Sequence, residues 1–155
     1  MSVVSQSTPL NLRRELYDQL REHGVETYPH ECCGILLGRS FEKGITVEDL
    51  MRAGNTRTDS AHNRYHIDPR ELIAAQREGR KLGLDIVGFY HSHPDHPAQW
   101  SQTDFAEAHW FGCSYLITAV EGDKQSGKAT ISNSFLLTGS GEEDKAFQPQ
   151  SITIE

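Results

Sequence analysis

The run from His91 to Asp104 holds the residues of this chain that are best suited to chemistry. It reads HSHPDHPAQWSQTD, in which two histidines one residue apart are followed by Ser101 and, three residues later, by an aspartate. Two imidazoles and one carboxylate are typical ligands of a hydrolytic zinc centre, because three protein ligands leave the fourth tetrahedral position open for a water molecule. The run therefore predicts a divalent-metal site made by His91, His93 and Asp104.

Strand and helix periodicity can bring these three side chains together. Residues 84–90, LDIVGFY, are apolar and β-rich, and they predict a central strand buried on both faces that leads directly into His91. Side chains in a strand repeat every two residues, so His91 and His93 point to the same face. A predicted helix over about 101–110 would project Asp104 from its first turn back toward the end of that strand.

Each part of this pattern also has a simpler explanation. A serine followed three residues later by an acid is the capping signature of a helix start, which explains Ser101 and Asp104 without a metal. With 8 histidines in the chain, a chance His-x-His pair is not rare either. Only the whole pattern with its fixed gaps favours a metal site, and we expect His96 at its rim, because a fourth protein ligand would close the site. Three further histidines, His62, His66 and His109, have no ligand spacing to one another, and we expect a surface or core role for each.

Composition and charge argue against several classes of protein. The 155 residues suit one domain with a continuous core, and 36% hydrophobic residues at a mean hydropathy of -0.57 are typical of a soluble globular protein. No apolar stretch approaches the roughly 20 residues that span a bilayer, and the first residues lack the pattern of a signal peptide, so we expect no membrane partner and a cytoplasmic location. The net charge of -7, with scattered Lys and Arg, argues against nucleic acid as a partner.

The three cysteines argue against a disulfide framework. Their number is odd and Cys32 is adjacent to Cys33, which favours reduced and mostly buried thiols. From the residues alone, this pair could also supply extra metal ligands or a nucleophile, whereas we expect Cys113 in the core.

Hydrophobic periodicity predicts the rest of the fold. The most distinct helix covers residues 70–82, because Asp68-Pro69 supplies an N-cap and a first-turn proline and Gly83 supplies a stop. Helices mixed with a largely antiparallel sheet predict an α/β sandwich whose sheet is covered on one or both faces. The other predicted elements are a helix over 9–24, strands over 33–39, 45–50, 64–67, 114–120, 129–137 and 151–154, a loop over 53–63 and a turn over 121–128.

Two separate motifs resemble one known family. The order His-x-His, seven intervening residues, Ser, two further residues and Asp, which starts at His91, matches the JAMM motif of the MPN-plus metallopeptidases. The segment ECCGILLG at residues 31–38 resembles the glutamate-bearing strand of that family. The resemblance covers residues from about 16 to 120 and is greatest to the prokaryotic, single-domain members. It implies a single MPN domain over residues 1–155 with its core at about 9–137, folded as a sandwich similar to cytidine deaminases, with a mixed, mostly antiparallel sheet flanked by helices.

The resemblance also implies roles for individual residues. It implies a Zn2+ ion held by His91, His93 and Asp104. It implies that Glu31 is the general base, which takes a proton from a water whose pKa zinc lowers to about 7, and that Ser101 donates a hydrogen bond to the oxyanion. Without the family, Glu31 is better explained as a solvated residue just before a strand.

The family also guides the interpretation of two positions, one in each motif region. Cys33-Gly34 stands where the family's strand has a cysteine before a glycine, which favours core packing of these cysteines over ligation or nucleophilic attack. Trp100 departs from the proline that often precedes the serine in relatives, and we expect it to shape the substrate groove.

The resemblance implies a zinc isopeptidase or peptidase. Its substrate is expected to be a ubiquitin-like or sulfur-carrier protein, cleaved after the C-terminal glycines while the tail lies extended beside a strand edge. A non-catalytic MPN scaffold is the alternative, but all five motif positions are present here. A zinc deaminase is less favoured, because that chemistry uses Pro-Cys-x-x-Cys and this chain has no Cys-x-x-Cys. Neither the individual substrate nor the oligomeric state follows from the sequence.

Overall fold

The computed structural model describes residues 8–55 and 66–155. The eight strands of this described part form one sheet in the order β7-β6-β5-β4-β2-β3-β1-β8. Four of the seven neighbouring strand pairs are antiparallel and three are parallel, so the predicted mixed, mostly antiparallel sheet is confirmed. In chain order the elements are β1 Leu10–Leu12, α1 Arg14–Thr27, β2 Cys33–Phe41, β3 Gly44–Ala53, α2 Pro69–Leu82, β4 Asp85–Pro94, α3 Gln102–Glu107, β5 Ser114–Gly122, β6 Gly127–Thr138, β7 Ala146–Gln150 and β8 Ile152–Ile154.

Helices α1 and α2 cover opposite faces of the sheet. Leu20 of α1 and Leu36 of β2 belong to one buried apolar cluster, whereas Ala75 of α2 packs in another cluster with Ile35 and Leu37 of β2. Since successive side chains of a strand point to opposite faces, the two clusters lie on opposite sides of β2. The sheet is therefore covered on both faces, as expected for an α/β sandwich.

Strand β4 lies in the middle of the sheet and carries both histidines of the motif. It pairs antiparallel with β2 and parallel with β5, and every residue from Val87 to Pro94 is buried. The apolar run over 84–90 predicted this central strand, which continues in the structure through His91 and His93. His91 lies opposite Cys33 on one side and Ile117 on the other. Hydrogen-bonded neighbours on both sides thus hold the backbone of the two histidines.

Helix α2 begins and ends close to the predicted residues. The Asp68 side chain accepts a hydrogen bond of 2.8 Å from the Arg70 N–H, and Pro69 follows at the first helical position. Gly83 closes the helix in the left-handed region with φ 71°. Local capping signals therefore sufficed to predict this helix.

The predicted helix over 9–24 is wrong at both ends. Its first part is β1, in which Leu10 and Leu12 are both buried and pair with β3 and β8. The alternation of Leu10 and Leu12 about a polar residue is a strand signal, but three residues are too few to outweigh the helical pattern that follows. At the other end α1 continues to Thr27, because Gly24 is a buried contact with β4 and β5 instead of a stop.

Three further elements differ from the prediction. The helix expected over 101–110 covers only Gln102–Glu107, and the turn over 121–128 is shorter because β5 and β6 extend into it. Strand β7 was not predicted, since its five residues include Pro149 and edge strands tolerate a proline that a central strand would not. The strand expected over 151–154 is present as β8.

Parts of the region between β3 and α2 lie outside the described residues. The predicted loop over 53–63 and strand over 64–67 fall largely on this part of the chain. At its borders, Asn55 and Ile67 form an isolated antiparallel bridge. None of the helices in the described ranges is long and apolar enough to cross a membrane.

Candidate metal centre

The side chains of His91, His93 and Asp104 converge at the end of β4. The Nε2 atoms of the two histidines lie 3.2 Å apart. The Asp104 carboxylate faces both of them, with Oδ1 3.3 Å from Nε2 of His91 and Oδ2 3.0 Å from Nε2 of His93. The structure therefore brings the three predicted ligands together, from a strand end and from the first turn of α3.

The orientation of the His93 ring is set by the loop that follows it. Its Nδ1–H donates to the Pro97 carbonyl at 2.8 Å, since a carbonyl oxygen can only accept a hydrogen bond. The other ring nitrogen, Nε2, points toward Asp104 and His91. A backbone carbonyl that selects the tautomer in this way is a common support of a metal-binding histidine.

Ser101 and Asp104 form a helix cap and also face the histidines, so the two interpretations of this pair are compatible. The Asp104 N–H donates to Ser101 Oγ at 3.0 Å, and the Ser101 N–H donates to Asp104 Oδ2 at 2.9 Å. This capping box holds the carboxylate at the start of α3 with its oxygens toward the histidines. Ser101 Oγ accepts one bond in the cap, and its own proton is still available for donation.

Glu31 enters the same site from the segment before β2. Its carboxylate and the ring nitrogens of His91 and His93 all lie within 4.8 Å of one another, a grouping that could hold a metal ion. Glu31 is two residues before Cys33, which pairs with His91, so strand alternation places it on the same face. The Cys32 N–H donates to Ser92 Oγ at 2.8 Å and holds this segment against β4.

Glu31 is buried rather than solvated. Only 3% of the residue is exposed, and its Oε1 has no hydrogen-bond partner among the described residues. Reasoning from the residues alone would place this glutamate at the surface. Only the family resemblance predicted its place in the site.

Burial and partners displace the pKa values of the two carboxylates in opposite directions. Burial raises the pKa of Glu31 to about 8, and the charges of Asp104 and Glu107 add to this effect against the opposing influence of His93. Burial also disfavours the ionised form of Asp104, but the electrostatic attraction of His91 and the hydrogen bonds with His91, His93 and the Ser101 N–H outweigh it and hold the Asp104 pKa well below its usual range. Asp104 is therefore ionised at neutral pH, whereas Glu31 can accept a proton there.

The arrangement fits a four-coordinate metal ion. In a tetrahedral site with metal–nitrogen distances of about 2.0–2.1 Å, neighbouring donor atoms lie about 3.3 Å apart. The contacts among His91, His93 and Asp104 measure 3.0 to 3.3 Å. Burial also lowers the pKa of His91, which favours the neutral imidazole that a metal needs. The buried, unpartnered oxygen of Glu31 provides a further polar group beside these donors.

Two cavities border the elements that carry this centre. The first, of about 370 Å³, is lined by apolar residues of α2, β4 and the segment after α3, including Leu72, Phe89 and Trp110, together with His66 and His109. The second, of about 420 Å³, lies beside Glu31 and Cys32 near the end of α1. His66 and His109 were expected in surface or core roles, because only the folded chain brings residues that precede and follow β4 in sequence to one cavity.

The other residues discussed from the sequence lie outside the ligand group. His96 is exposed in the loop after β4. Trp100 is 40% exposed and its ring packs 5.3 Å from that of Phe105, while His62 is outside the described residues. The three cysteines are buried and unpaired, and burial raises the pKa of the thiols of Cys32 and Cys113 to about 11, which argues against a thiolate nucleophile.

Sequence comparisons show similarity to one family and to individual relatives. Residues 13–132 match the family described as prokaryotic homologs of the JAB domain. Desampylase from Haloferax volcanii is 34% identical over 120 residues, which are 75% of this chain and 84% of that protein. The probable TtuB-protein conjugate cleaving protease from Thermus thermophilus is 32% identical over 113 residues, covering 73% of this chain and 72% of that protein.

Solved structures show the same fold. The solution structure of a protein from Desulfitobacterium hafniense superposes with a TM-score of 0.76 at 27% identity, covering 94% of this chain and 92% of that one. A protein from Salinibacter ruber gives a TM-score of 0.67 at 36% identity, covering 94% and 91%. The sandwich described above is thus shared over nearly the full length of both chains.

Proposed function

The chain belongs to the family of prokaryotic JAB-domain proteins, and from this premise we propose that it is a zinc-dependent isopeptidase. Its proposed reaction is hydrolysis of the amide bond after the C-terminal glycines of a ubiquitin-like or sulfur-carrier protein. The observation that carries the proposal is the convergence of His91, His93 and Asp104 beside the buried carboxyl of Glu31. The names of the two relatives, a desampylase and a conjugate-cleaving protease, support this class of substrate.

We assign Zn2+ to the ligands His91, His93 and Asp104. Two imidazoles with one carboxylate suit zinc better than magnesium or calcium, which prefer all-oxygen sites. When bound, zinc would supply a Lewis acid that polarises the substrate carbonyl and makes water more acidic. The pKa of Asp104, held well below its usual range, keeps this ligand anionic at neutral pH.

Glu31 is the proposed general base. It takes a proton from the attacking water and gives it to the nitrogen of the leaving amine, so one carboxyl serves both proton transfers. Its burial and the pKa of about 8 make the carboxylate more basic than an ordinary glutamate. Such tuning matches the pKa of a catalytic group to neutral pH.

Ser101 is the proposed oxyanion donor. Its Oγ is held by the Asp104 N–H at 3.0 Å, so the hydroxyl lies at the rim of the ligand group with its proton free to donate. A donor placed there would stabilise the negative charge that develops on the scissile carbonyl oxygen. The same cap therefore positions a metal ligand and a catalytic hydroxyl.

The proposed substrate tail approaches as an extended chain. Glycines suit this centre, because His91 and His93 are at most 8% exposed and a side chain on the tail would obstruct close approach. The apolar cavity lined by Leu72, Phe89 and Trp110 offers space for the residues that precede the glycines. We place the reaction in the cytoplasm and propose neither nucleic acid nor membrane as a partner.

Conjugate cleavage by the purified protein tests this function. The zinc-loaded protein is incubated with ubiquitin-like carriers from the same genome, each joined to a lysine-containing peptide, and intact mass identifies the products. We expect release of the peptide and of a carrier that ends in a glycine carboxylate. A chelator and, separately, Glu31→Gln should both abolish cleavage. Cleavage that persists under both conditions would show that another mechanism operates.

A further inference from the structure

Tyr28 links the segment that carries Glu31 to the hairpin of β5 and β6. It is the C-cap residue that directly follows α1, three positions before Glu31. Its ring packs on the hairpin so closely that a Cβ added to Gly122 would lie 2.6 Å from Cζ of Tyr28, and one added to Gly127 would lie 2.8 Å from its Cγ. Only glycines leave room for this ring, so its position is narrowly defined.

The hydroxyl of Tyr28 then connects this segment to the loop after β4. It donates to Asp95 Oδ2 at 2.6 Å and accepts from the Lys124 N–H at 3.0 Å. The other oxygen of Asp95, Oδ1, accepts from the Gly122 N–H at 2.9 Å. Asp95 itself has a φ of 57°, a left-handed conformation that these bonds hold in place.

Asp95 stands at the start of the loop that orients a metal ligand. Two residues later, the Pro97 carbonyl accepts from His93 Nδ1–H at 2.8 Å and sets the direction of the His93 ring. The Asp95 N–H also donates to the Val120 carbonyl of β5 at 2.7 Å, and this bond fixes the direction in which the loop leaves β4. Tyr28 and Asp95 thus lie between the base segment and the ligand loop.

We propose that Tyr28, through its hydroxyl, and Asp95, through its carboxylate, are positioning residues. Together they hold Glu31 and the His93 ring at the separation that catalysis needs. This inference rests on the proposed function. We name this pair the Tyr28–Asp95 latch. Glu31 has no hydrogen bond from its Oε1 to the described residues, so its placement depends on the segment that carries it. A general base must reach its proton within a hydrogen bond of about 2.6–3.2 Å, and a displacement near 1 Å can slow a reaction about 100-fold.

The test uses Tyr28→Phe, which keeps the ring over the two glycines and removes only the hydroxyl. On the carrier conjugate we expect kcat to fall about 10- to 100-fold, while KM and the zinc content per chain stay within about 3-fold of the wild type. A residue that only supported folding would lower the melting temperature without this separation of kcat from KM. A wild-type kcat for Tyr28→Phe would overturn the proposal.

A double-mutant cycle tests whether the two residues act together. Asp95→Asn keeps a residue that tolerates positive φ but cannot accept through both side-chain atoms. We expect it to lower kcat as Tyr28→Phe does, and the double variant to be no slower than the slower single variant. Fully additive losses would contradict a shared latch. Tyr17→Phe, which removes a tyrosine hydroxyl from the helix that precedes Tyr28, is the matched control and should retain the wild-type kcat.

A second readout separates failure of the latch from failure of the proposed function. In Tyr28→Phe, amide hydrogen exchange measured by mass spectrometry should accelerate about 10-fold in both the 29–33 and the 94–98 segments, and in neither for Tyr17→Phe. Wild-type protein that cleaves no conjugate would refute the function, yet coupled exchange in both segments would still support the latch. Unchanged exchange in both segments would refute the latch even in an active enzyme.

Discussion

The segment before β2 and the short helix α3 each bring one carboxylate to the same two histidines, but in different environments. Glu31 is nearly enclosed and its Oε1 has no hydrogen-bond partner among the described residues. Asp104 is also largely buried, yet its oxygens contact both histidines and the Ser101 N–H. Burial without partners raises the pKa of Glu31, whereas partners lower the pKa of Asp104. Environment therefore makes one carboxyl suited to proton transfer and the other to metal binding.

The two regions also differ in what supports them. The Glu31 segment is hydrogen-bonded to Ser92 of the central strand through the Cys32 N–H, whereas none of the six residues of α3 is fully buried. Helix α3 is supported by its cap and by Phe105, whose ring packs 5.3 Å from that of Trp100 and 5.4 Å from that of Phe147. Lys145 Nζ lies 4.6 Å from the centre of the Phe105 ring. The position of Asp104 on α3 thus depends on residues outside the motif.

Exchanging the two carboxyls for amides gives the largest expected effect. Asp104→Asn removes an anionic ligand and should weaken zinc affinity more than about 100-fold. This loss exceeds the one expected when the substituted residue only hydrogen-bonds to a ligand. Glu31→Gln should keep the zinc affinity within about 3-fold and lower kcat about 100- to 10,000-fold, the range of general acid–base catalysis. Zinc affinity is measured by competition with a chelator and kcat on the conjugate. The reverse pattern would make Glu31 the ligand and Asp104 the base.

The pH dependence of stability should also distinguish the two carboxyls in the metal-free protein. Burial raises the Glu31 pKa from 4.5 to about 8, so unfolding releases a proton between these values. The free energy of unfolding therefore falls as pH rises through this window, by up to about 5 kcal/mol from this group. Glu31→Gln should be more stable than the wild type at pH 8, with the difference vanishing near pH 4.5.

Urea denaturation at pH 5 and pH 8 measures this difference. Asp104→Asn is the matched comparison, and it should be less stable than the wild type at both values, because the lowered pKa of Asp104 stabilises the fold above its ordinary range. If Glu31→Gln shows equal stability gains at both pH values, the raised pKa of Glu31 is not the cause.

Ser101→Ala should have the next largest effect and should separate rate from metal binding. Loss of an oxyanion donor lowers kcat about 100- to 1,000-fold. Zinc content should stay close to one ion per chain, since Ser101 supplies no ligand atom, while loss of the cap lowers stability by about 1 kcal/mol. Ser101→Thr keeps the hydroxyl and should recover most of the rate. A full rate in Ser101→Ala would remove the serine from the mechanism.

Phe147→Ala should give the smallest effect on metal binding. The substitution removes the ring against which Phe105 packs and should weaken zinc affinity about 10-fold, as loss of indirect ligand support does. Ile131→Ala changes an exposed residue of the neighbouring strand and should leave zinc affinity unaltered. Equal zinc affinity in Phe147→Ala and the wild type would show that the cap alone positions Asp104.

Local sequence signals predicted the elements on which the site is built. The apolar run into His91 gave the central strand, and Asp68 with Gly83 marked the ends of α2, because burial pattern and capping act over a few residues. The short edge elements were missed. Strand β1 has three residues, and its pairing partners are far away in the chain, so its local pattern was too weak to oppose the helix that follows.

The sequence by itself determined the chemistry available at the centre. Two histidines at strand spacing and an aspartate in the first helical turn have their relative directions set by local geometry, so convergence of His91, His93 and Asp104 was predictable from their positions. Only the tertiary structure decided the state of Glu31. Contact between segments sixty positions apart encloses Glu31 against β4, where its Oε1 has no partner among the described residues. Burial of this kind raises the pKa of a carboxyl, and no local sequence pattern indicates it.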